Sequence, residues 1–259
     1  MADKVKRIFH YHASGHALSG SFTRPIPRFI EVQAPTVLPT IGGYGHAQVE
    51  NFRLDNHLQF KAGYSHVAGS KQQKGDKEFY TTLVTATVEG FNLLDVVTAD
   101  RIVMRLSAYH VLPDDESHFS LVGSTIENLK VGGHPVEIEH NDRLFAHLDT
   151  FEKIKKELAT DKEFKKMAED PFHSGTPTPL SEGHGELLCS LVKKIKTNAP
   201  GVTVEGHALV IPDCGTVYLA EALLSSSKRT LTMLRFELGS PVEGNAVVAQ
   251  GIGNGTSWP

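Results

Sequence analysis

Cysteine is scarce in this sequence, which has two among its 259 residues, Cys189 and Cys214. Neither forms a CxxC motif, and isolated cysteines are typical of proteins from a reducing compartment. We therefore expect two buried, free thiols, and neither a disulfide nor a nucleophilic cysteine.

Long apolar runs are absent as well, since no stretch approaches the roughly 18 residues that a membrane-spanning helix requires. The N-terminal string MADKVKRIFHYH is basic but shows neither the apolar core nor the cleavage site of a secretory signal. The net charge is −4 with neutral histidines, which gives no electrostatic reason to expect nucleic acid or an anionic membrane as partner. The expectation is a cytoplasmic protein without nucleic-acid binding or membrane insertion, although export by an unconventional route stays open.

Catalytic motifs are also missing. The chain contains neither a GxxxxGK[ST] phosphate loop nor a GxSxG nucleophile motif. The glycine-rich strings at 41–46 (IGGYGH) and 251–255 (GIGNG) do not lie between a strand and a helix, so we expect turns there. Carboxylates such as Glu89 and Asp100, with Arg101 nearby, are more typical of cross-strand ion pairs than of acid–base catalysis. Whether the chain is an enzyme stays open, and the missing motifs favour a protein without catalytic activity.

Strand patterns dominate what the sequence does contain. Val, Ile, Thr, Phe and Tyr alternate with polar residues, and Gly, Pro, Asn and Asp separate the alternating segments. Clear examples are HAQVENFRL, LQFKAGYSHVAG, YTTLVTATVEGFNLL, DRIVMRLSAYHVL, HFSLVGSTIENLKV, VTVEGHALVI and TLTMLRFELG. The sequence predicts a mainly β protein, either an antiparallel β-sandwich or a flattened barrel of repeated hairpins, in a single domain over residues 1–259.

One segment departs from the strand pattern. Between residues 141 and 170, apolar residues recur at steps of three and four and form one helical face. They are Leu144, Phe145, Leu148, Phe151, Ile154 and Leu158. We expect Asn141 or Asp142 to cap the start and Pro171 to end the helical region. The prediction is one helical insertion near 141–170, within a helical and Pro/Gly-rich insertion over 141–186.

A short motif, Val or Ile followed by Glu and then Gly or Asn, recurs at intervals of 39, 38, 78 and 38 residues. Its copies begin at Val49, Val88, Ile126, Val204 and Val242. The longer strings at 47–54 and 86–93 also share Ala, Phe and Leu. Such self-similarity indicates a repeated supersecondary unit, here an antiparallel hairpin. We expect Val or Ile to face the core, Glu to face outward or pair across strands, and Gly or Asn to mark a bulge or kink.

Three strings, ATVEGFNLLDVVTADRI, GSTIENLKVGG and the later TLTMLRFELG…EGNAVVAQG, resemble a pattern of choice-of-anchor P proteins. The resemblance covers about residues 80–135 and 228–255. These relatives are largely uncharacterised, β-rich bacterial surface proteins, so the resemblance implies an all-β domain with a structural or surface role. It implies no catalytic residues. Because no signal peptide or C-terminal anchor is recognisable, the sequence does not support the surface location.

The string FHYHASGH brings His10, His12 and His16 close together in the chain. A His-x-His pair on a strand places both rings on one face, about 7 Å apart, a spacing that serves metal sites in cupin-like barrels. His16 continues that face if the strand passes through Ser14 and Gly15. The string lacks the spaced Glu and second His of a cupin motif, so a polar strand face is the alternative. The prediction is either a divalent transition-metal site at these three histidines or no cofactor.

Residues 24–40 carry four prolines, and proline cannot donate to a strand ladder, so we expect an extended edge or wrapping segment there. Six aromatic residues in the first quarter of the chain are expected in the core or on a ligand-binding face. They are Phe22, Phe29, Tyr44, Phe52, Phe60 and Tyr64. Trp258 is expected at the edge of the core or against a neighbouring subunit.

Three functions are compatible with these features. The first is a non-enzymatic structural or self-assembling protein, a homo-oligomer or filament formed through edge strands or through residues 24–40. The second is a metal-dependent enzyme or metal-binding β protein that uses the HxHxxxH string. The third is a carbohydrate or small-molecule binding module with an aromatic face. The repeats and the missing catalytic motifs favour the first.

Overall fold

The computed structural model describes residues 8–75, 77–112, 116–141, 146–162, 164, 187–226 and 228–258, with 257 and 258 as backbone only. Several predictions lie outside these residues: the cap at Asp142, the apolar Leu144 and Phe145, most of the helical region beyond 162, the Pro/Gly-rich stretch that follows it, and the contacts of the Trp258 side chain. Within the described residues, no helix is long and apolar enough to cross a membrane.

Strands make up most of the described chain. The first ten are β1 (Ile8–Arg24), β2 (Arg28–Gln33), β3 (Thr36–Val37), β4 (Gly43–Leu54), β5 (Leu58–Lys74), β6 (Lys77–Leu93), β7 (Val97–Leu112), β8 (His118–Ser120), β9 (Thr125–Glu127) and β10 (Lys130–Val131). They are followed by β11 (His134–His140), the helix α1 (Phe151–Thr160), β12 (Leu187–Ser190), β13 (Val192–Thr197), β14 (Thr203–Glu205), β15 (Ala208–Ile211), β16 (Gly215–Leu224), β17 (Arg229–Leu238) and β18 (Glu243–Trp258).

These strands form two antiparallel sheets of nine strands each. Sheet A has the order β14-β15-β16-β17-β18-β1-β2, with β12 paired to β16 and β3 paired to β1. Sheet B has the order β13-β11-β10-β7-β6-β5-β4, with β8 and β9 paired to β7. Strand β2 therefore ends sheet A and strand β4 ends sheet B.

The two sheets pack face to face, with β1, β17 and β18 opposite β5, β6 and β7. Alternating apolar side chains from both inner faces fill the space between them, and Phe91 stacks on Phe236 with ring centroids 5.5 Å apart. Of the two architectures that the sequence predicts, the sandwich is the one observed. The mainly β fold is confirmed, and α1 lies within the predicted helical insertion.

Glycines at 251–255 on β18 let the two sheets approach closely. The string GIGNG is part of β18 and not a turn. A Cβ at Gly251 would lie 2.0 Å from Cε of Met104, and a Cβ at Gly255 would lie 2.1 Å from the Phe9 ring. The turn prediction is wrong because glycine in this strand makes room for side chains of the facing sheet and of the neighbouring strand.

The repeated motif occupies equivalent places in sheet B. Val49 of β4 and Val88 of β6 both lie opposite Gly63 of β5, so the two copies share one row of the sheet. The residue that ends each copy has a positive φ, 54° at Asn51 and 64° at Gly90. The predicted kink is confirmed at both positions.

Two further copies have the same backbone feature, with φ of 52° at Asn128 and 60° at Gly206. The fifth copy differs, because Gly244 is nearly extended at 157°. The predicted inward Val is also wrong in one copy, since Val204 lies on the three-residue strand β14 and is exposed. A strand at the end of a sheet leaves such a side chain without a facing layer to cover it.

Helix α1 begins at Phe151, and residues 146 and 147 before it are also helical. Thr150 is its N-cap, and the Thr150 Oγ1 accepts a hydrogen bond from the Lys153 N–H at 3.2 Å. Asn141 instead directly follows β11, and its backbone N–H donates to the Leu191 carbonyl at 2.6 Å. Pairing of β11 with β13 holds the chain extended up to His140. Residues 142–145 lie outside the described residues, so the cap at Asn141 stays a prediction.

The proline-containing segment forms the outer edge of sheet A. Residues 28–40 run antiparallel along β1, first as β2 and then as β3. Beyond β3 the pairing continues, with the Leu38 N–H donating to Ala13 O at 2.8 Å and the Tyr11 N–H donating to Thr40 O at 2.9 Å. The predicted extended edge segment is confirmed for these residues.

The kink at Gly90 provides a test of the backbone argument. Gly90→Ala should cost about 1–2 kcal/mol for the left-handed conformation alone. It should cost more in total, because the new Cβ would lie 2.7 Å from Lys61 Cγ. Gly75→Ala is the matched control, since Gly75 has nearly the same φ, 63°, with open space around a Cβ. Urea unfolding of both variants measures the difference, and equal losses would contradict the crowding at Gly90.

Candidate functional site

The three histidines of the HxHxxxH string share one face of β1, as predicted. Phe9 and Tyr11 point into the core, so His10, His12 and His16 lie on the outer face of sheet A. His12 Nε2 is 3.2 Å from Thr256 Oγ1, and His16 Nε2 is 2.9 Å from Ser19 Oγ. Partial burial lowers the pKa of His16 below its ordinary value.

The described part of the chain brings no further metal ligands to this string. Among the described residues, no group of three or more His, Cys, Asp or Glu side chains is arranged to hold an ion. The Nε2 atoms of His12 and His16 are hydrogen-bonded to neighbouring hydroxyl groups, which is typical of a polar strand face. Metal binding by His10, His12 and His16 stays a prediction.

A second histidine pair appears only in the fold. His46 of β4 and His66 of β5 are directly opposite each other. Opposite residues of an antiparallel pair point to the same side with Cβ atoms about 5 Å apart. Both side chains leave the outer face of sheet B, because Val67 beside His66 is fully buried. The sequence places these histidines 20 residues apart with no local motif, so only the hairpin register reveals the pair.

One side of the sandwich exposes large apolar side chains. We name it the open edge and define it as residues 28–40 of sheet A, the connecting turn at 41–42 and β4 of sheet B. Four of its side chains stand out by exposure: Ile41 in the connecting turn at 90%, Phe29 at 79%, Tyr44 at 75% and Val37 at 72%. Among the described residues, five of the eleven large exposed apolar side chains belong to the open edge, namely Phe29, Val32, Val37, Ile41 and Tyr44.

Buried hydroxyl groups hold the two halves of the open edge together. Ser65 Oγ of sheet B donates to the Ala34 carbonyl of sheet A at 2.5 Å. Thr36 Oγ1 lies 2.5 Å from the same Ser65 Oγ. A Cβ at Gly45 of β4 would lie 3.1 Å from Thr36 Cγ2, so the two sheet edges are in contact here. The exposed side chains therefore stand on a rigid base rather than on a free loop.

The aromatic residues of the first quarter do not form one ligand-binding face. Phe22 and Phe60 are buried, and Phe52 stacks on Phe60 with centroids 5.0 Å apart. Tyr44 is exposed on the open edge, whereas Phe29 projects from sheet A at the other half of it. Core packing uses part of the set, the open edge exposes Phe29 and Tyr44, and Tyr64 is exposed on the outer face of β5.

A polar cluster lies inside the sandwich between β7, β17 and β18. Arg229 is fully buried, and its guanidinium donates to Asn254 Oδ1 at 2.8 Å and to the Ser117 carbonyl at 3.3 Å. It also lies 5.2 Å from the centre of the Phe119 ring, a cation–π contact. Burial lowers the pKa of Arg229 to about 10. No carboxylate of the described residues lies within ion-pair distance of this group.

His110 completes this interior cluster, with its Nε2 3.4 Å from Asn254 Oδ1. Burial, aided by the positive charge of Arg229, lowers the pKa of His110 from 6.5 to about 4, so the ring is neutral at neutral pH. The sequence gives no sign of this cluster, because His110 and Asn254 are 144 residues apart. Its buried position makes it a structural element of the core rather than an accessible site.

A paired ionic network covers the outer face of β16 and β17. Arg235 donates to both Glu221 oxygens, at 2.6 and 2.8 Å, and its guanidinium lies 3.7 Å from the Tyr218 ring centre. His207 Nε2 is 3.2 Å from Glu221 Oε1. Burial alone would raise the pKa of Glu221, but the hydrogen bonds from Arg235 and His207 outweigh it and lower the pKa. Because these charges satisfy one another, the network is typical of a structural salt bridge.

A smaller pair, His118 and Asp149, lies where β8 meets the start of α1. His118 Nδ1 is 2.8 Å from Asp149 Oδ2, and Lys153 Nζ is 2.5 Å from Asp149 Oδ1. The His118 ring also stacks on Tyr109, with centroids 4.6 Å apart. No Ser or Cys nucleophile is bonded to His118 in the described contacts, so the pair ties the insertion to sheet B.

The remaining sequence predictions have plain outcomes. Cys189 and Cys214 are buried free thiols, as predicted, and burial raises the pKa of Cys189 to about 12. Glu89 forms a cross-strand ion pair with Arg101, at 3.8 Å, which confirms the predicted pairing. Asp100 instead accepts a hydrogen bond from Asn128 Nδ2 at 2.7 Å.

Protonation of His110 should limit stability in mild acid. Its folded pKa of about 4 lies below the ordinary value of 6.5, so the unfolded chain takes up the proton first as the pH falls. The contribution of the neutral ring is complete above pH 6.5 and is lost toward pH 4, by up to about 3 kcal/mol. We expect His110→Gln to flatten the fall of unfolding free energy over this range in urea titrations. The control His12→Gln replaces an exposed imidazole and should keep the slope; an unchanged slope in His110→Gln would contradict the assignment.

Comparison with known proteins finds a match to a family model. A family model described as a domain of unknown function, DUF8256, matches residues 9–225. No curated protein and no solved structure matches the chain. The match does not bear on the choice-of-anchor P resemblance, which stays a prediction. Since the model spans most of the chain and both sheets, the chain belongs to the DUF8256 family.

Proposed function

We propose that this protein is a non-enzymatic structural protein that assembles with copies of itself through the open edge. The observation that carries the proposal is the coincidence of an unpaired strand with exposed apolar side chains. Strand β4 pairs with β5 on one side, and no strand of the described chain pairs with its other side. Unpaired N–H and C=O groups along such an edge are a template for another strand.

Side chains next to the β4 edge supply apolar area for such a contact. Ile41 and Tyr44 flank the beginning of β4, and Phe29 and Val37 expose the facing half of the open edge. Large aromatic and aliphatic side chains of this kind contribute most of the affinity in protein interfaces when they become buried. A partner that covered the open edge would pair with the free N–H and C=O groups of β4. It would also remove this apolar area from water.

The charge pattern favours a second copy over a strongly charged partner. Residues 24–57 carry three basic side chains, Arg24, Arg28 and Arg53, and three acidic ones, Glu31, Glu50 and Asp55. Arg28 and Asp55 already form an ion pair at 3.7 Å across the mouth of the sandwich. A surface with no net sign does not select an acidic or a basic partner. A two-fold arrangement, in which the same surface serves both copies, uses both signs of charge on each side.

Metal binding by the HxHxxxH string is a second candidate. The shared outward face of His10, His12 and His16 supports it, and the absence of a converging carboxylate in the described contacts weighs against it. A carbohydrate-binding role has less support, because the six aromatic residues are spread over the core, the open edge and the outer face of β5.

The assembly proposal predicts the effect of charges on the open edge. Phe29→Asp, Ile41→Asp and Tyr44→Asp should each weaken self-association by about 2 kcal/mol, that is, by about 30-fold. Their exposure means that folding itself should be unaffected. Sedimentation velocity over a concentration series, with EDTA present, measures the association.

Val122→Asp is the matched control, because Val122 is 52% exposed and lies outside the open edge. It should associate as the natural chain does. A natural chain that stays monomeric up to high micromolar concentration, or equal effects of the control and the edge variants, would overturn the proposal.

A further inference from the structure

His46 and His66 form a pair of imidazole side chains on the hairpin that borders the open edge. The two rings leave the same face of adjacent strands, β4 and β5, at directly opposite positions. Imidazole nitrogens are ligands for zinc, copper and nickel ions. Two histidines alone leave a zinc ion short of protein ligands, since open zinc sites typically have three, for example two His and one Glu.

The missing ligand has a natural source in the proposed self-association. Glu50 is exposed on the same outer face of β4, four residues beyond His46, which is about 13 Å along a strand and too far to reach the pair in its own chain. If two β4 strands pair antiparallel about an axis at Gln48, residue 46 of each copy lies opposite residue 50 of the other. The Glu50 carboxylate of the second copy then joins His46 and His66 in one row across three adjacent strands.

We propose that two copies joined through β4 bind divalent transition-metal ions of the zinc type, each ion held by His46 and His66 of one copy and by Glu50 of the other. This inference rests on the proposed self-association and names the register and the ligand of that contact. The pairing from His46 to Glu50 avoids the kink at Asn51, so the backbone is regular where the two strands would meet. The symmetry gives two equivalent sites in each pair of chains.

Zinc titration of the full chain tests the inference. We expect one zinc per chain by calorimetry. When free zinc exceeds its dissociation constant by about 100-fold, self-association should be tighter by about 10,000-fold, a factor of about 100 for each of the two sites. His46→Ala, His66→Ala and Glu50→Gln should each abolish the zinc effect, measured for each variant as the change from its own association in EDTA. The control is the double variant His10→Ala with His12→Ala, which should respond to zinc as the natural chain does.

Mixing two inactive variants distinguishes a shared site from a site within one chain. A chain carrying both His46→Ala and His66→Ala still offers Glu50, and a Glu50→Gln chain still offers both histidines. A mixed pair therefore contains one complete site, so the mixture should regain zinc-dependent association that neither variant shows alone. Circular dichroism of each variant confirms that the sheets are intact.

Several results would overturn the inference. They are the absence of zinc binding, full zinc binding by Glu50→Gln, no recovery in the mixture, and loss of zinc binding in the His10 and His12 control. If the natural chain associates in EDTA through the open edge but zinc has no effect, this inference fails and the proposed function stands. If the chain remains monomeric with and without zinc, both fail.

Discussion

The burial of two inner sheet faces against each other is the constraint on which the rest of the structure depends. A strand in such a sandwich must keep the correct side chains inward along its whole length, because a slip of one residue turns every later side chain outward. Val88 and Phe91, three residues apart, are both buried on β6, and the left-handed Gly90 between them makes this change of phase. Neighbouring strands must change phase in the same row, or the sheet would lose its apolar face.

The two sheets meet this requirement with different residues. In sheet B, Asn51, Gly90 and Asn128 have the left-handed backbone that Gly and Asn adopt most readily. In sheet A, Ala220 and Ala249 have φ of 50° without that advantage, at a cost of about 1–2 kcal/mol each. Both alanines are fully buried, so tight packing around them holds a conformation that the isolated chain would avoid. Strained alanines in sheet A, and Gly and Asn residues in sheet B, therefore keep the apolar side chains of the strands pointing inward.

Sequence patterns predict the parts of this fold that depend on neighbours in the chain. Alternating apolar residues predict the strands, and the Val-Glu-Gly/Asn motif predicts the kinks, because both effects arise within a few residues. The start of α1 is harder to predict, because Thr150 and Asn141 both carry side chains that can cap a helix. The GIGNG string predicts a turn, because glycine is common in turns. Glycine is also needed where a strand packs closely, and the local sequence does not distinguish the two cases.

The candidate sites depend on register, which the sequence contains only indirectly. His46 and His66 become neighbours through one hairpin, and Arg229, His110 and Asn254 meet through the packing of two sheets. The polar groups that fold together in this way differ in their access to water. The Arg229 cluster and the Glu221 network are buried or paired internally, whereas the histidine pair and the open edge still have unused bonding capacity facing outward.

The unequal edges of the sheets have a consequence for the size of any assembly. The edges far from β4 end in β13, with six residues, and β14, with three. Short terminal strands offer little backbone for a further chain to add to. If the long edge at β4 binds a second copy, as proposed, that edge is covered in both molecules and only the short opposite edges remain. Growth would then stop at a closed pair of molecules instead of continuing into a fibre.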